Sequence, residues 1–248
     1  MARRRSPRDP LPLLTLLPNL LTILGLCAGL TAIRFAIDGR FEIAAGLIVL
    51  AAVIDGLDGP AARRLRAESA FGAELDSLSD FVCFGVAPGV VVFLFALGDA
   101  PDPGWIFVLI YVIGACLRLA RFNVGLAAPV ERSKAAPRFV GVPAPAGAML
   151  ALLPVFASHA ELIDFSQHPL IVAPWLGLVA LLMVSRVPTL SPRALRVPRE
   201  RAPWVLIGVA ILVGVMLTRV WLFFVMLDLL YALTLIWVGV TSRRQRAD

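Results

Sequence analysis

The sequence has 248 residues, of which 59% are hydrophobic and only 16% are charged, and its mean hydropathy is +0.86. A soluble domain contains about 45–50% apolar residues, so this composition excludes an ordinary soluble protein and predicts an integral membrane protein. The apolar runs lack the period-two alternation of strands, which predicts an all-α fold. In a membrane protein, the formal net charge of +6 relates to which loops face the cytoplasm and to contact with anionic lipid. We expect no nucleic-acid partner.

Eight apolar runs follow one another along the chain, each close to the roughly 20 residues that a helix needs to cross a bilayer. They predict a polytopic helical bundle with eight transmembrane helices, at 18–37, 42–63, 72–98, 105–124, 139–158, 170–185, 203–218 and 220–240. The predicted organisation is a basic interfacial segment at 1–17, a six-helix catalytic core at 18–185, a basic cytoplasmic loop at 186–202, a transmembrane hairpin at 203–240 and a basic tail at 241–248.

Basic residues are distributed unevenly between the two ends of these runs. Of the 23 Lys and Arg residues, 20 lie in the N-terminal segment, in the C-terminal tail, or in and beside the loops after the second, fourth and sixth runs. Cytoplasmic loops carry such an excess of Lys and Arg. We therefore expect an inner-membrane protein whose two termini and polar site face the cytoplasm.

Four carboxylates interrupt the apolar runs between Asp55 and Asp80. Asp55 and Asp58 are three residues apart, and Asp76 and Asp80 are four apart, so each pair shares one face of a helix. A turn near 67–69 would bring both pairs to the same depth of an antiparallel hairpin, about 12–20 Å from the turn. Acids in an apolar setting need a positive partner, and hard oxygen ligands favour Mg²⁺ or Mn²⁺. Two alternatives stay open, namely a proton or cation pathway and pairing with Arg63, Arg64 and Arg66.

The spacing of this stretch resembles the signature of the CDP-alcohol phosphatidyltransferase family at every defined position: Asp55-x2-Asp58-Gly59-x2-Ala62-Arg63-x8-Gly72-x3-Asp76-x3-Asp80. The resemblance implies a six-helix core, usually homodimeric, with two divalent metal ions and a CDP-linked lipid donor. It implies that the metal ligands are Asp55, Asp58, Asp76 and Asp80, and that Asp80 is also the general base. The CDP-binding residues that it implies are Asp58, Gly59, Ala62, Arg63, Gly72 and Asp76, with glycine allowing a close approach to the backbone.

Weaker motifs at Leu17–Thr22, Asp76–Pro88, Arg118–Val124 and Phe139–Ala148 resemble the membrane-embedded phosphatidylserine synthases of this family. That resemblance implies CDP-diacylglycerol as donor and L-serine as acceptor, giving phosphatidylserine and CMP. The carboxylate of serine needs a cation, and an arginine fork meets this need best. The acceptor-site candidates are Arg118, Arg121, Asn123, Lys134 and Arg138, and Asn19 and Thr22 are further candidates for the cavity.

Two other functions stay open at this point. The same chemistry could use glycerol phosphate, inositol phosphate or choline as acceptor, although a phosphorylated acceptor would require a denser cationic pocket. A divalent-cation or proton-coupled transporter would also use intramembrane acids, but it leaves the spacing of Gly59, Ala62 and Gly72 unexplained.

Overall fold

A computed structural model describes residues 16–65, 67–98, 101–127, 139–185, 188–189 and 202–244 of the chain. Helices account for most of these residues, which confirms the predicted all-α class. The α-helices are α1 (Leu17–Ile37), α2 (Phe41–Leu65), α3 (Ala70–Asp80), α4 (Ala87–Val92), α5 (Pro101–Ala127), α6 (Ala144–His159), α7 (Pro169–Val184), α8 (Ala202–Thr218) and α9 (Val220–Arg244). The described elements also include a 3₁₀ turn at Phe165–Gln167 and a two-residue antiparallel pairing of β1 (Phe139–Val140) with β2 (Pro188–Thr189).

The turn predicted between the second and third runs is confirmed. Helix α2 ends at Leu65, and α3 begins at Ala70 with Ser69 as its N-cap. The Ser69 hydroxyl accepts a hydrogen bond from the Gly72 amide at 3.0 Å, which satisfies one of the free donors of the first helical turn. This break in the helix forms the acidic hairpin, which we define as α2, the turn and α3.

The chain beyond α3 continues as a helix of changing pitch. Phe81–Val86 and Phe93–Leu97 are π-helical, and together with α3 and α4 they form one apolar segment from Ala70 to Leu97. The first π-helical stretch begins directly after Asp80. Wider turns of this kind often occur at functional sites, and the run predicted at 72–98 gave no sign of them.

Small residues let α1 pack closely against the acidic hairpin. It packs along α2, and both helices contain fully buried alanines such as Ala32 and Ala44. A Cβ atom on Gly29 would lie 2.7 Å from Cys83 Sγ, so α1 approaches the chain just after Asp80 at a position without a side chain. Helices in membranes associate through such small residues.

Four segments of the described chain are long and apolar enough to cross a membrane: Leu17–Ile37, Ala70–Leu97, Asp102–Val124 and Val220–Val238. Helices α6 and α7 are apolar but shorter. The protein is thus an integral membrane protein, while the total of eight spans stays a prediction. The run predicted at 139–158 becomes helical only at Ala144, because Pro143 disfavours helix in the residue before it and β1 pairs with β2 instead.

Candidate active site

The four acids of the hairpin converge in the structure. Asp55 on α2 and both Asp76 and Asp80 on α3 offer carboxylate oxygens that all lie within 4.8 Å of one another. Asp58 joins them in the lining of a small cavity of about 10 Å³, which is roughly the space of one water molecule. The spacing of three and four residues therefore places both pairs on the facing sides of the two helices.

Helix α1 holds one of these acids in place. Thr22 Oγ1 donates a hydrogen bond of 2.9 Å to Asp58 Oδ2, and each of the two residues is only 7% exposed. Ser79 Oγ on α3 donates to the Thr22 carbonyl at 3.3 Å. Residue Thr22 is thus in contact with both helices of the acidic hairpin.

No arginine pairs with these acids in the part of the chain that the structure describes. The ion pair found there joins Arg219 to Glu161 at 3.9 Å and is exposed, whereas Arg66 lies outside the described residues. Pairing with Arg63 or Arg64 is therefore excluded as the reason for the acid cluster. Four carboxylates in one apolar site repel one another unless a cation lies among them, and an all-carboxylate donor set fits a divalent cation such as Mg²⁺ or Mn²⁺.

A larger cavity of about 420 Å³ opens beside the acids, toward the turn of the hairpin. Its volume lies within the range of small-molecule sites, about 300–1,000 Å³. A Cβ atom on Gly72 would lie 2.9 Å from Asn19 Oδ1 and 3.1 Å from Ser69 Oγ, so a larger residue here would displace side chains of this wall. All six residues predicted to bind the CDP group line this cavity, together with Asn19 and Thr22: Asp58, Gly59, Ala62, Arg63, Gly72 and Asp76.

The structure separates the candidates for the acceptor site. Arg118 on α5 is half-buried, its Nε donates to the Val142 carbonyl at 2.8 Å, and its guanidinium lies within electrostatic range of Asp80. Arg121 is exposed and donates to the carbonyl of Val184, the last residue of α7, at 2.8 Å.

Asn123 Nδ2 donates to Ser77 Oγ on α3 at 3.0 Å, so Asn123 joins α5 to the helix that carries Asp76 and Asp80. Lys134 and Arg138 lie outside the described residues. Among the described candidates, Arg118 lies within electrostatic range of one acid, Asp80, whereas Arg121 and Asn123 link helices to one another.

Helix α9 carries two polar residues that the sequence interpretation missed. Asp228 is 3% exposed, and its Oδ2 and the Tyr231 Oη are buried without a hydrogen-bond partner among the described residues. Tyr231 lies within electrostatic range of Arg118. The missed signal was a lone acid in the apolar run 220–240, since intramembrane ionisable residues are rare and often functional.

The model of the CDP-alcohol phosphatidyltransferase family matches residues 15–185. That region contains the four acids and every residue that lines the two cavities. The chain belongs to the CDP-alcohol phosphatidyltransferase family. Helices α8 and α9 lie beyond the region that the family model matches.

Three of the relatives share one enzyme name. The chain is 41% identical over 194 residues to the CDP-diacylglycerol–serine O-phosphatidyltransferase of Mycobacterium leprae, which covers 76% of this chain and 63% of that protein. It is 33% identical over 179 residues to the enzyme of that name from Helicobacter pylori, covering 72% of this chain and 73% of the relative. For the enzyme of that name from Bacillus subtilis, the identity is 36% over 172 residues, covering 69% of this chain and 88% of the relative.

Proposed function

We propose that this family member is a CDP-diacylglycerol–serine O-phosphatidyltransferase, which transfers the phosphatidyl group of CDP-diacylglycerol to the hydroxyl of L-serine and releases CMP. The observation that carries the proposal is the position of the two cavities. Asp58 and Asp76 line both of them, so a nucleotide in the larger cavity would have its diphosphate beside the acids. The names of the relatives support serine as the acceptor.

The acids are proposed to hold two divalent cations, either Mg²⁺ or Mn²⁺, through Asp55, Asp58, Asp76 and Asp80. Three of the carboxylates approach within 4.8 Å of one another, and the fourth lines the same small cavity. When bound, such cations neutralise the charge that develops on the diphosphate during transfer.

Asp80 is proposed as the general base of the reaction. Its carboxylate removes the proton of the serine hydroxyl while the hydroxyl oxygen attacks the phosphorus that carries diacylglycerol. A bond forms between this oxygen and the phosphorus, and the bond from the phosphorus to the CMP oxygen breaks. Gly59, Ala62 and Gly72 would let the nucleotide approach the backbone, and Arg63 would pair with a phosphate oxygen at the cavity wall.

Arg118 is the first choice for the carboxylate of serine, because it is the described candidate within electrostatic range of Asp80. A guanidinium can bind a carboxylate through two parallel hydrogen bonds. Arg121, Asn123, Lys134 and Arg138 stay secondary candidates for the acceptor.

The membrane setting is also part of the proposal. The excess of basic residues supports an inner-membrane protein whose termini and active site face the cytoplasm. The resemblance to the family supports a homodimer with a six-helix core at 18–185 and an appended hairpin at 203–240. CDP-diacylglycerol would enter sideways from the lipid while its nucleotide occupies the cavity near the hairpin turn.

The test is release of CMP from CDP-diacylglycerol by the purified protein with L-serine, glycerol phosphate, inositol phosphate or choline as acceptor. We expect CMP release that requires serine, with an equal amount of phosphatidylserine formed. CMP release with another acceptor alone would contradict serine as the substrate. Divalent-cation or proton flux into proteoliposomes without CMP release from any acceptor would contradict the enzyme itself and support a transporter.

A further inference from the structure

The two tyrosines of the chain differ in the use of their hydroxyl groups. The Tyr111 hydroxyl donates a hydrogen bond of 2.7 Å to the Phe84 carbonyl. The Tyr231 hydroxyl is also buried, but it has no hydrogen-bond partner in the described part of the chain. A buried hydroxyl without a partner destabilises a protein, so its presence in α9 calls for an explanation such as a bound ligand.

The position of Tyr231 relates it to the acceptor side of the active site. Its hydroxyl lies within electrostatic range of Arg118, and Arg118 in turn lies within electrostatic range of Asp80. Helix α9 packs against α6 and against β2. Strand β2 pairs with β1, and β1 ends two residues before Val142. The Val142 carbonyl accepts the hydrogen bond from Arg118 Nε.

Among the residues that the structure describes, only part of the hydrogen-bonding capacity of Arg118 is used. A guanidinium has five N–H donors, and the bond from Nε to Val142 uses one of them. A carboxylate has two oxygens that together accept about four hydrogen bonds. A carboxylate between Arg118 and Tyr231 would therefore accept two parallel hydrogen bonds from the guanidinium and one from the hydroxyl, which has no partner among the described residues.

We propose that Tyr231 is a specificity-determining residue of the acceptor site, whose hydroxyl donates a hydrogen bond to the carboxylate of L-serine that Arg118 also binds. The proposal rests on the proposed function and adds to it a residue outside the region 15–185 matched by the family model. It gives the hairpin of α8 and α9 a role, because this hairpin then supplies one wall of the acceptor site.

The experiment compares Tyr231→Phe with Tyr111→Phe, since each change removes one buried hydroxyl and nothing else. For Tyr231→Phe we expect the KM for serine to rise roughly tenfold to a hundredfold, as for the loss of a hydrogen bond to a charged group. The KM for CDP-diacylglycerol should stay at the wild-type value. The Tm should be unchanged or higher, because no hydrogen bond between described residues is lost. Tyr111→Phe should instead lower the Tm and leave the KM for serine unchanged.

The outcomes separate this inference from the proposed function. If the wild-type protein forms phosphatidylserine and Tyr231→Phe keeps the wild-type KM for serine, the inference is wrong and the proposed function stands. A loss confined to kcat would assign the hydroxyl a role other than serine binding, and a Tm lowered as in Tyr111→Phe would assign it a structural role. Either result would also overturn the inference. If the wild-type protein releases no CMP with serine, the proposed function fails and the inference fails with it.

Discussion

Replacing Thr22 by valine tests whether α1 positions a metal-binding acid. The change removes the hydroxyl that donates 2.9 Å to Asp58 Oδ2 while keeping a β-branched side chain of similar shape. A hydrogen bond to a charged group contributes about 1.5–3 kcal/mol. The Pro18 carbonyl, at 3.1 Å, competes for the single hydroxyl proton, which favours the lower end of this range. Since 1.36 kcal/mol corresponds to a factor of ten, we expect the half-saturating concentration of Mg²⁺ or Mn²⁺ to rise roughly tenfold.

The assay is the initial rate of CMP release as a function of metal concentration, at saturating serine and CDP-diacylglycerol. Thr22→Ser is the matched control, because it keeps the hydroxyl and should keep a metal dependence close to that of the wild type. An unchanged half-saturating concentration in Thr22→Val would refute the reasoning, since Asp58 would then bind metal without help from α1.

Three further changes test other parts of the account. Gly72→Ala would place a Cβ atom 2.9 Å from Asn19 Oδ1 and 3.1 Å from Ser69 Oγ, so it should displace these side chains of the cavity wall and raise the KM for CDP-diacylglycerol. Gly56→Ala, whose Cβ would meet nothing within 4 Å, should leave this KM unchanged. Asp228→Leu should raise the Tm in detergent, because it removes a buried carboxylate oxygen without a described partner. Such an oxygen destabilises the folded protein by about 1–3 kcal/mol. A lower Tm would show that the carboxylate has a stabilising contact. A reporter fused after Asp248 should be cytoplasmic, and activity only on the far side of the membrane would contradict the proposed topology.

The acidic hairpin could be predicted because its geometry is local. The polar break around 67–69 marked the turn, and the helical rise placed Asp55, Asp58, Asp76 and Asp80 at one depth. The structure places these four residues around one cavity. Helix periodicity and residue spacing were sufficient here because the two helices are joined by a short connection.

The contacts between distant parts of the chain could not be predicted in this way. Thr22 meets Asp58 across 36 positions and Arg121 meets Val184 across 63, and periodicity does not indicate which helices become neighbours. The proposed preference for Arg118 over Arg121 as the residue that binds the acceptor depends on such contacts. The proposed role of Tyr231 also depends on contacts of this kind. This residue lies in an apolar helix to which no sequence motif assigned a function.

The measurement that tests the central claim most directly is phosphatidylserine formation by the wild type and by Asp58→Asn, first after chelation and then during titration with Mg²⁺ or Mn²⁺. The claim is that the acids of the hairpin bind divalent cations needed for transfer. It predicts that chelation abolishes the activity of the wild type and that added metal restores it. Asp58→Asn should stay inactive at limiting metal. This variant should remain folded, because removing one charge relieves repulsion among the acids. Full activity of Asp58→Asn at limiting metal, or of the chelated wild type, would contradict it.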